Sequence, residues 1–265
     1  MLSFLFFTKD PAQVRLAAAA GIERVVVDIE RRGKMARQGG YHLEINEDAI
    51  ADLDPLRDAP IARFLRVNAL YEGTADEVRE GLARGADGFI LPMVRGVDDT
   101  RRFADLVDGR ACVIALVETL AGLAALRDIA ARGGVDEVYV GLNDLSLETG
   151  RAFAYQLLAE GMLDKALAGC RIPFGFGGAT VVDGGHPLPS RSILAELARL
   201  GATRVILRRA FKRDVAGRSW PDEIAAIRDC YEACRRRSAA AACRDRDAVW
   251  RDITRISREM ESVKQ

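Results

Sequence analysis

Two apolar runs each end in one carboxylate and then pass into a helix-like stretch: ACVIALVE closes on Glu118, and DEVYVGLND closes on Asp144. A carboxylate at the last position of a buried parallel strand stands where barrel and doubly wound folds build their active sites. If the two strands are neighbours, their backbones run roughly 4.8 Å apart. Both side chains then reach one hard divalent cation, Mg²⁺ or Mn²⁺, at about 2.0 to 2.1 Å per oxygen. Such a cation keeps open positions for substrate, so the pair points to an enzyme. The competing reading of either residue alone is helix capping, because TLAG follows Glu118 and LSLETG follows Asp144.

The elements that must position this pair are legible as an alternation. Apolar runs at 2–7, 23–30, 61–68, 87–92, 112–118, 137–144, 171–178 and 203–209 have the length of strands. Between them lie helix-like segments such as PAQVRLAAAAG, DEVREGLARG and RSILAELARLG, several closed by the glycine expected just past a helix end. Strands alternating with helices mean a parallel sheet with crossover helices, and eight such units predict a (β/α)8 barrel. An open doubly wound sheet is the alternative. A chain of 265 residues, 49% hydrophobic, suits one barrel with additions better than two domains.

We read 1–215 as the barrel and 216–265 as a C-terminal helical extension that closes the barrel, contacts another subunit of a homo-oligomer, or both. In that extension Ser219 precedes Pro221 as an N-cap would. The polar stretch 31–48 exceeds the usual loop length and is a candidate lid.

Lys plus Arg and Asp plus Glu both number 39. With zero net charge, nothing global favours nucleic acid or an anionic membrane. The five scattered cysteines lack the paired spacing of a zinc site, and no run reaches the length of a membrane span. The expectation is a cytoplasmic enzyme of small molecules with reduced thiols.

Five segments in order, VVVDIE, LRVN, GADGFILPMV, VIALVET with LAGLAALRDIA, and GVDEVYVGLNDLSLETG, resemble the hydroxy-oxo-acid aldolase and citrate lyase beta-subunit family. The resemblance spans roughly residues 1–210, and the ET and NDLS segments are its most specific parts. It implies a barrel that binds Mg²⁺ or a similar ion and makes or breaks a carbon–carbon bond next to a 2-oxo acid or thioester carbonyl. On matching positions Glu118 and Asp144 become the metal ligands and Arg66 the cation beside an enolate. Elementary chemistry agrees: a planar, permanently charged guanidinium suits an oxygen that gains negative charge in a dry site. A surface salt bridge is the other reading of Arg66.

Period-two alternation puts Asp28 and Glu30 on one side of their strand, where they could line the mouth, hold water on the metal or orient Arg66. Pairing with Arg31 or Arg63 is the alternative, and Glu30 lies nearer the rim. Aldolases of the family carry a histidine just after this acidic strand end, whereas this chain has Arg31. The general base then falls to His42 in the long loop, to His186, or to water on the metal. Gly177 and Gly178 in FGFGGAT, with Arg208 and Arg209 after the eighth strand, could hold a phosphate or a distal carboxylate. They could equally make a tight bend and outer ion pairs.

The reading is a metal-dependent aldolase joining or releasing a 2-oxo acid, such as pyruvate, and an aldehyde. Cleavage of a malyl- or citramalyl-type acyl-CoA is the second enzymatic reading, and a catalytically silent metabolite-binding barrel is the third.

Overall fold

Eight parallel strands follow one another around a closed barrel in chain order: β1 Ser3–Phe7, β2 Arg24–Asp28, β3 Ala62–Arg66, β4 Gly88–Leu91, β5 Cys112–Val117, β6 Glu137–Val140, β7 Phe174–Ala179 and β8 Arg204–Leu207. The computed structural model describes residues 1–32 and 48–263. Every neighbouring pair is parallel, and β1 pairs with both β2 and β8, so the sheet has no edge. The barrel expectation holds and the open sheet is excluded.

Each strand is shorter than its apolar run. β6 ends at Val140 rather than at Asp144, and the pattern LNDLSLE winds into the helix Leu142–Glu148. Arg171, Ile172 and Pro173 stay outside β7, which starts at Phe174. Proline cannot donate to a ladder, which accounts for the late start.

Alternation along the strands builds the barrel interior in three layers. At the floor, Arg24 of β2 holds Glu137 of β6 through Nη1–Oε2 (2.6 Å) and Nη2–Oε1 (2.9 Å), and Arg204 of β8 adds Nε–Oε1 at 2.8 Å. One step up the columns Leu5, Val26, Phe64, Ile90, Ile114, Leu116 and Tyr139 form an apolar plug, with Ile206 against it. One step further stand Phe7, Asp28, Arg66, Glu118 and Arg208, at the carboxyl ends where barrels carry chemistry. The outward residues of the same strands pack against the helices in a second, larger core.

The C-terminal helices lie on the barrel itself. Trp220–Arg235, capped by Ser219 as expected, packs between Ser190–Leu200 and Pro11–Ala19, the place of the helix that closes β8 onto β1. Its Tyr231 hydroxyl donates to the Ala202 carbonyl (2.7 Å) in the buried core. Ala239–Val263 continues over Gln156–Ala159 and Ser190–Leu200, tied by Trp250 Nε1 to Glu196 (3.2 Å) and by Ser257 to Gln156 (2.7 Å). Among the described residues no helix is long and apolar enough to cross a membrane.

Candidate active site

Asp28 and Arg66 are register partners at the last rungs of β2 and β3. Their side chains therefore point the same way and meet in a two-pronged ion pair, Nε–Oδ1 at 2.7 Å and Nη2–Oδ2 at 2.6 Å. Glu30, two residues beyond β2, lies 3.5 Å from Arg66 Nε, and its own N–H donates to Asp28 Oδ1 (3.2 Å). The Arg66 guanidinium also sits 5.0 Å from the centre of the Phe7 ring. Burial alone would weaken its charge, but Asp28, Glu30 and Glu118 outweigh burial and hold Arg66 firmly protonated. Arg66 is thus an interior cation with a fixed plane, not a surface salt bridge.

Glu118 stands one residue past β5, buried, on the inward column. It does not cap the next helix: Thr119 does, accepting from the Gly122 N–H at 2.9 Å and donating to the Val94 carbonyl at 2.9 Å. Glu118 Oε1 instead accepts the Met93 N–H (3.0 Å). Met93 holds φ at 57°, a conformation that side chains other than glycine rarely adopt and that clusters at functional sites. No sequence signal marked Met93. Behind Glu118 the backbone of Gly141 comes so near that a Cβ there would lie 2.7 Å from Oε2.

Asp144 reaches this group from the first turn of Leu142–Glu148, three residues past the Gly141 N-cap. The expected strand-end placement is corrected by one helical turn. Pairing of Val117 with Val140 makes β5 and β6 neighbours, which brings the two carboxylates together. Burial, then the negative charges of Glu30 and Asp144, push the Glu118 carboxyl up to about 8, against the pull of Arg66 and the Met93 N–H. Asp28, Glu30 and Asp144 outnumber Arg66 even with the proton held on Glu118, so the cluster carries an excess of negative charge that a divalent cation would relieve. Hard oxygens from the end of β5 and from the first helical turn after β6 fit Mg²⁺ or Mn²⁺. Among the described residues no three His, Cys, Asp or Glu side chains converge as ligands.

Arg31 follows Glu30 directly, and its backbone is held by the side chain of Asn68. Asn68 Oδ1 accepts the N–H of both Arg31 and Arg32 (2.9 Å each), while Asn68 Nδ2 donates to Glu77 (2.7 Å). Tyr71 donates to the same Glu77 oxygen at 2.7 Å. The Arg31 side chain is exposed and donates to the Asp48 carbonyl (2.8 Å). His42 and residues 33–47 of the expected lid lie outside the described residues.

The glycines of FGFGGAT accommodate a bulge. The β7–β8 register slips between Gly175 and Gly178, Gly177 takes φ 64°, and the Tyr139 hydroxyl fills the gap. It donates to the Gly177 carbonyl (2.8 Å) and accepts the Ile206 N–H (2.7 Å). Gly178 leaves room for Arg208, whose Cγ would be 2.5 Å from a Cβ there. Arg208 is half-buried on the inward column, whereas Arg209 is exposed at the start of Ala210–Asp214, and His186 is exposed on the loop after β7.

The sequence profile of the HpcH/HpaI aldolase/citrate lyase family matches residues 3–157. A hydroxypyruvate/pyruvate aldolase of Roseovarius nubinhibens is 26% identical over 171 residues, 53% of this chain and 62% of the relative. The match thus spans about three-fifths of that aldolase. Among solved structures, an HpcH/HpaI aldolase of Desulfitobacterium hafniense superposes with a TM-score of 0.58 at 17% identity, covering 81% of this chain and 90% of the other. The citrate lyase beta subunit of M. tuberculosis, complexed with oxaloacetate and magnesium, gives a TM-score of 0.57 at 22% identity over 87% and 96%. At these identities the structural likeness speaks for the fold alone.

Proposed function

The chain belongs to the HpcH/HpaI aldolase/citrate lyase family, and from that premise we propose that it is a divalent-metal-dependent aldolase that cleaves or forms a 4-hydroxy-2-oxo acid. The observation that carries the proposal is one constellation on the barrel rim: Arg66 clamped by Asp28, with Glu30, Glu118 and Asp144 around it. Glu118 and Asp144 would hold Mg²⁺ or Mn²⁺, which when bound supplies a Lewis acid that polarises the keto oxygen of a pyruvate-like substrate. Asp28 occupies Nε and Nη2 of Arg66, which leaves the Nη1 edge to meet the oxygen that becomes negative in the enolate. Because the ion pair sets the guanidinium plane before substrate arrives, little reorganisation is needed as charge develops. Glu30 adds its carboxylate to the same arginine at Nε, and with Asp28 it reinforces the positive charge of Arg66.

Proton exchange at the methyl group of pyruvate, followed in D₂O with added Mg²⁺ or Mn²⁺ and then with an aldehyde panel, tests this reading. Metal-dependent exchange and aldol product are expected, and neither appearing at any metal concentration would refute it. We propose His42 or a water in the site as the base. A His42→Ala protein slower by about 10²-fold would assign the histidine, and an unaffected rate with an acid limb that moves when Mn²⁺ replaces Mg²⁺ would assign water.

Arg31 favours a second reading. A guanidinium is not a base at neutral pH, and a citrate lyase beta subunit is among the structures of this fold, so cleavage of a malyl- or citramalyl-type thioester is the alternative. Release of acetyl-CoA from such a substrate, without pyruvate exchange, would select it.

A further inference from the structure

One residue past β8 an arginine tops the inward column, as Arg66 does at the end of β3. Arg204 belongs to the floor cluster, Ile206 to the apolar plug, and two residues later Arg208 arrives at the rim. Nothing proposed for Arg66, Glu118 and Asp144 uses it. Its polar surroundings are sparse. Nη2 donates to the His186 carbonyl over a long 3.3 Å, and the hydroxyl of half-buried Tyr155 lies beside the guanidinium and donates to the Gly178 carbonyl at 3.4 Å. Asp214, the acid that feels the Arg208 charge, is engaged by Thr180 (2.8 Å) and by Arg213 (2.7 Å). Nη1 is buried and finds no hydrogen-bond acceptor among the described residues.

A guanidinium N–H withdrawn from water and left without an acceptor is costly, and a fork of donors is matched best by a planar or tetrahedral oxyanion. Gly178 is the only residue type that lets this fork lie across β7, since any Cβ would collide with Arg208 Cγ. A structural ion pair would put a carboxylate against Nη1, yet none of the described residues does so.

We propose that Arg208, with the Tyr155 hydroxyl, is the subsite for an oxyanion, carboxylate or phosphate, at the far end of the second substrate, so that the enzyme prefers acceptor aldehydes bearing such a group. The inference rests on the aldolase reading above for the identity of that substrate. Arg208 acts as a specificity-determining residue and touches no bond that is made or broken.

The test compares kcat/KM for succinic semialdehyde and glyceraldehyde 3-phosphate with butanal and glyceraldehyde, in the wild type, Arg208→Gln and Arg208→Lys. The wild type should prefer at least one anionic acceptor, and the arm preferred tells carboxylate from phosphate. In Arg208→Gln the anionic-to-neutral ratio should fall on the order of 10- to 100-fold, with partial recovery in Arg208→Lys. Equal loss on charged and neutral acceptors, or an unchanged ratio, overturns the proposal. If Arg208→Gln does not fold, Tyr155→Phe should lower the same ratio by about three- to tenfold, and no change there is equally fatal.

Calorimetric titration with inorganic phosphate and with succinate reads the subsite without turnover. Binding by the wild type that is lost in Arg208→Gln is expected, and no binding of either anion by the wild type overturns the subsite. Failure of pyruvate exchange in the wild type would instead remove the aldolase reading, while the anion titration still decides on Arg208.

Discussion

Replacing Gly141 by alanine perturbs the proposed metal pair, Glu118 and Asp144, without replacing a carboxylate. Gly141 has φ −85°, which alanine adopts without strain, so the effect comes from the added methyl group alone. That Cβ would lie 2.7 Å from Glu118 Oε2 and 2.8 Å from Glu118 Cβ, whereas ordinary contact begins at 3.4 Å. Each gap must open by about 0.6 to 0.7 Å. Rotating the carboxylate clears the first clash and not the second, so the whole Glu118 side chain is driven off its position. Metal–oxygen distances tolerate about 0.2 Å, so the shift would take the proposed ligand Glu118 out of a competent geometry. Mn²⁺ affinity should fall on the order of 10- to 100-fold, the range seen when the support of a ligand is lost. Calorimetric titration with Mn²⁺, alongside far-UV circular dichroism, measures both affinity and fold. Affinity within twofold of the wild type, in a folded protein, would refute the assignment of Glu118 as a ligand pressed against Gly141.

Glu118→Gln and Asp144→Asn should each abolish turnover and weaken Mn²⁺ binding while the fold survives; unchanged binding in both would restore a structural role for the two carboxylates. Arg66→Lys replaces a clamped fork with a point charge, so pyruvate proton exchange should slow by on the order of 10² or more, chiefly in kcat, and near-normal exchange would exclude Arg66 from the chemistry. With the Glu118 carboxyl at about 8 in the fold and 4.5 ordinarily, the folded metal-free protein keeps a proton that the unfolded chain releases between those values. That stability is therefore whole below about pH 4.5 and lost as pH rises to about 8. In EDTA the wild-type melting temperature should fall relative to Glu118→Gln across this window, and parallel curves for the two proteins would contradict the shift. Asn68→Ala strips acceptors from the Arg31 and Arg32 N–H groups and a donor from buried Glu77, so it should cost about 3 kcal/mol in urea unfolding; a loss below about 1 kcal/mol would mean that water replaces the amide.

Periodicity alone carried the architecture. Short Val- and Ile-rich runs separated by amphipathic stretches leave a chain few ways to bury its apolar faces, and eight repeats close a barrel. The same period of two put Asp28 and Glu30 on one side of their strand, because alternate side chains share a face whatever the rest of the fold does, while closure of the barrel decided that this side, with Arg66 and Glu118, faces inward. The sequence could not say where each strand stops. The run DEVYVGLND reads as one strand to Asp144, and only packing decides that Gly141 breaks it and that Asp144 approaches Glu118 from a helical turn. Capping was similarly undecided until Thr119, one residue along, took the role that Glu118 could have had. Met93 carries no signal in the sequence, since its importance lies in one backbone N–H and a left-handed φ. Of two adjacent arginines, tertiary structure turned Arg208 inward and left Arg209 at the surface, because the barrel interior is defined only once β8 has closed against β1 and β7. Charge and spacing are properties of a chain, but burial, which raises Glu118 and tests every unpaired donor, exists only in the fold.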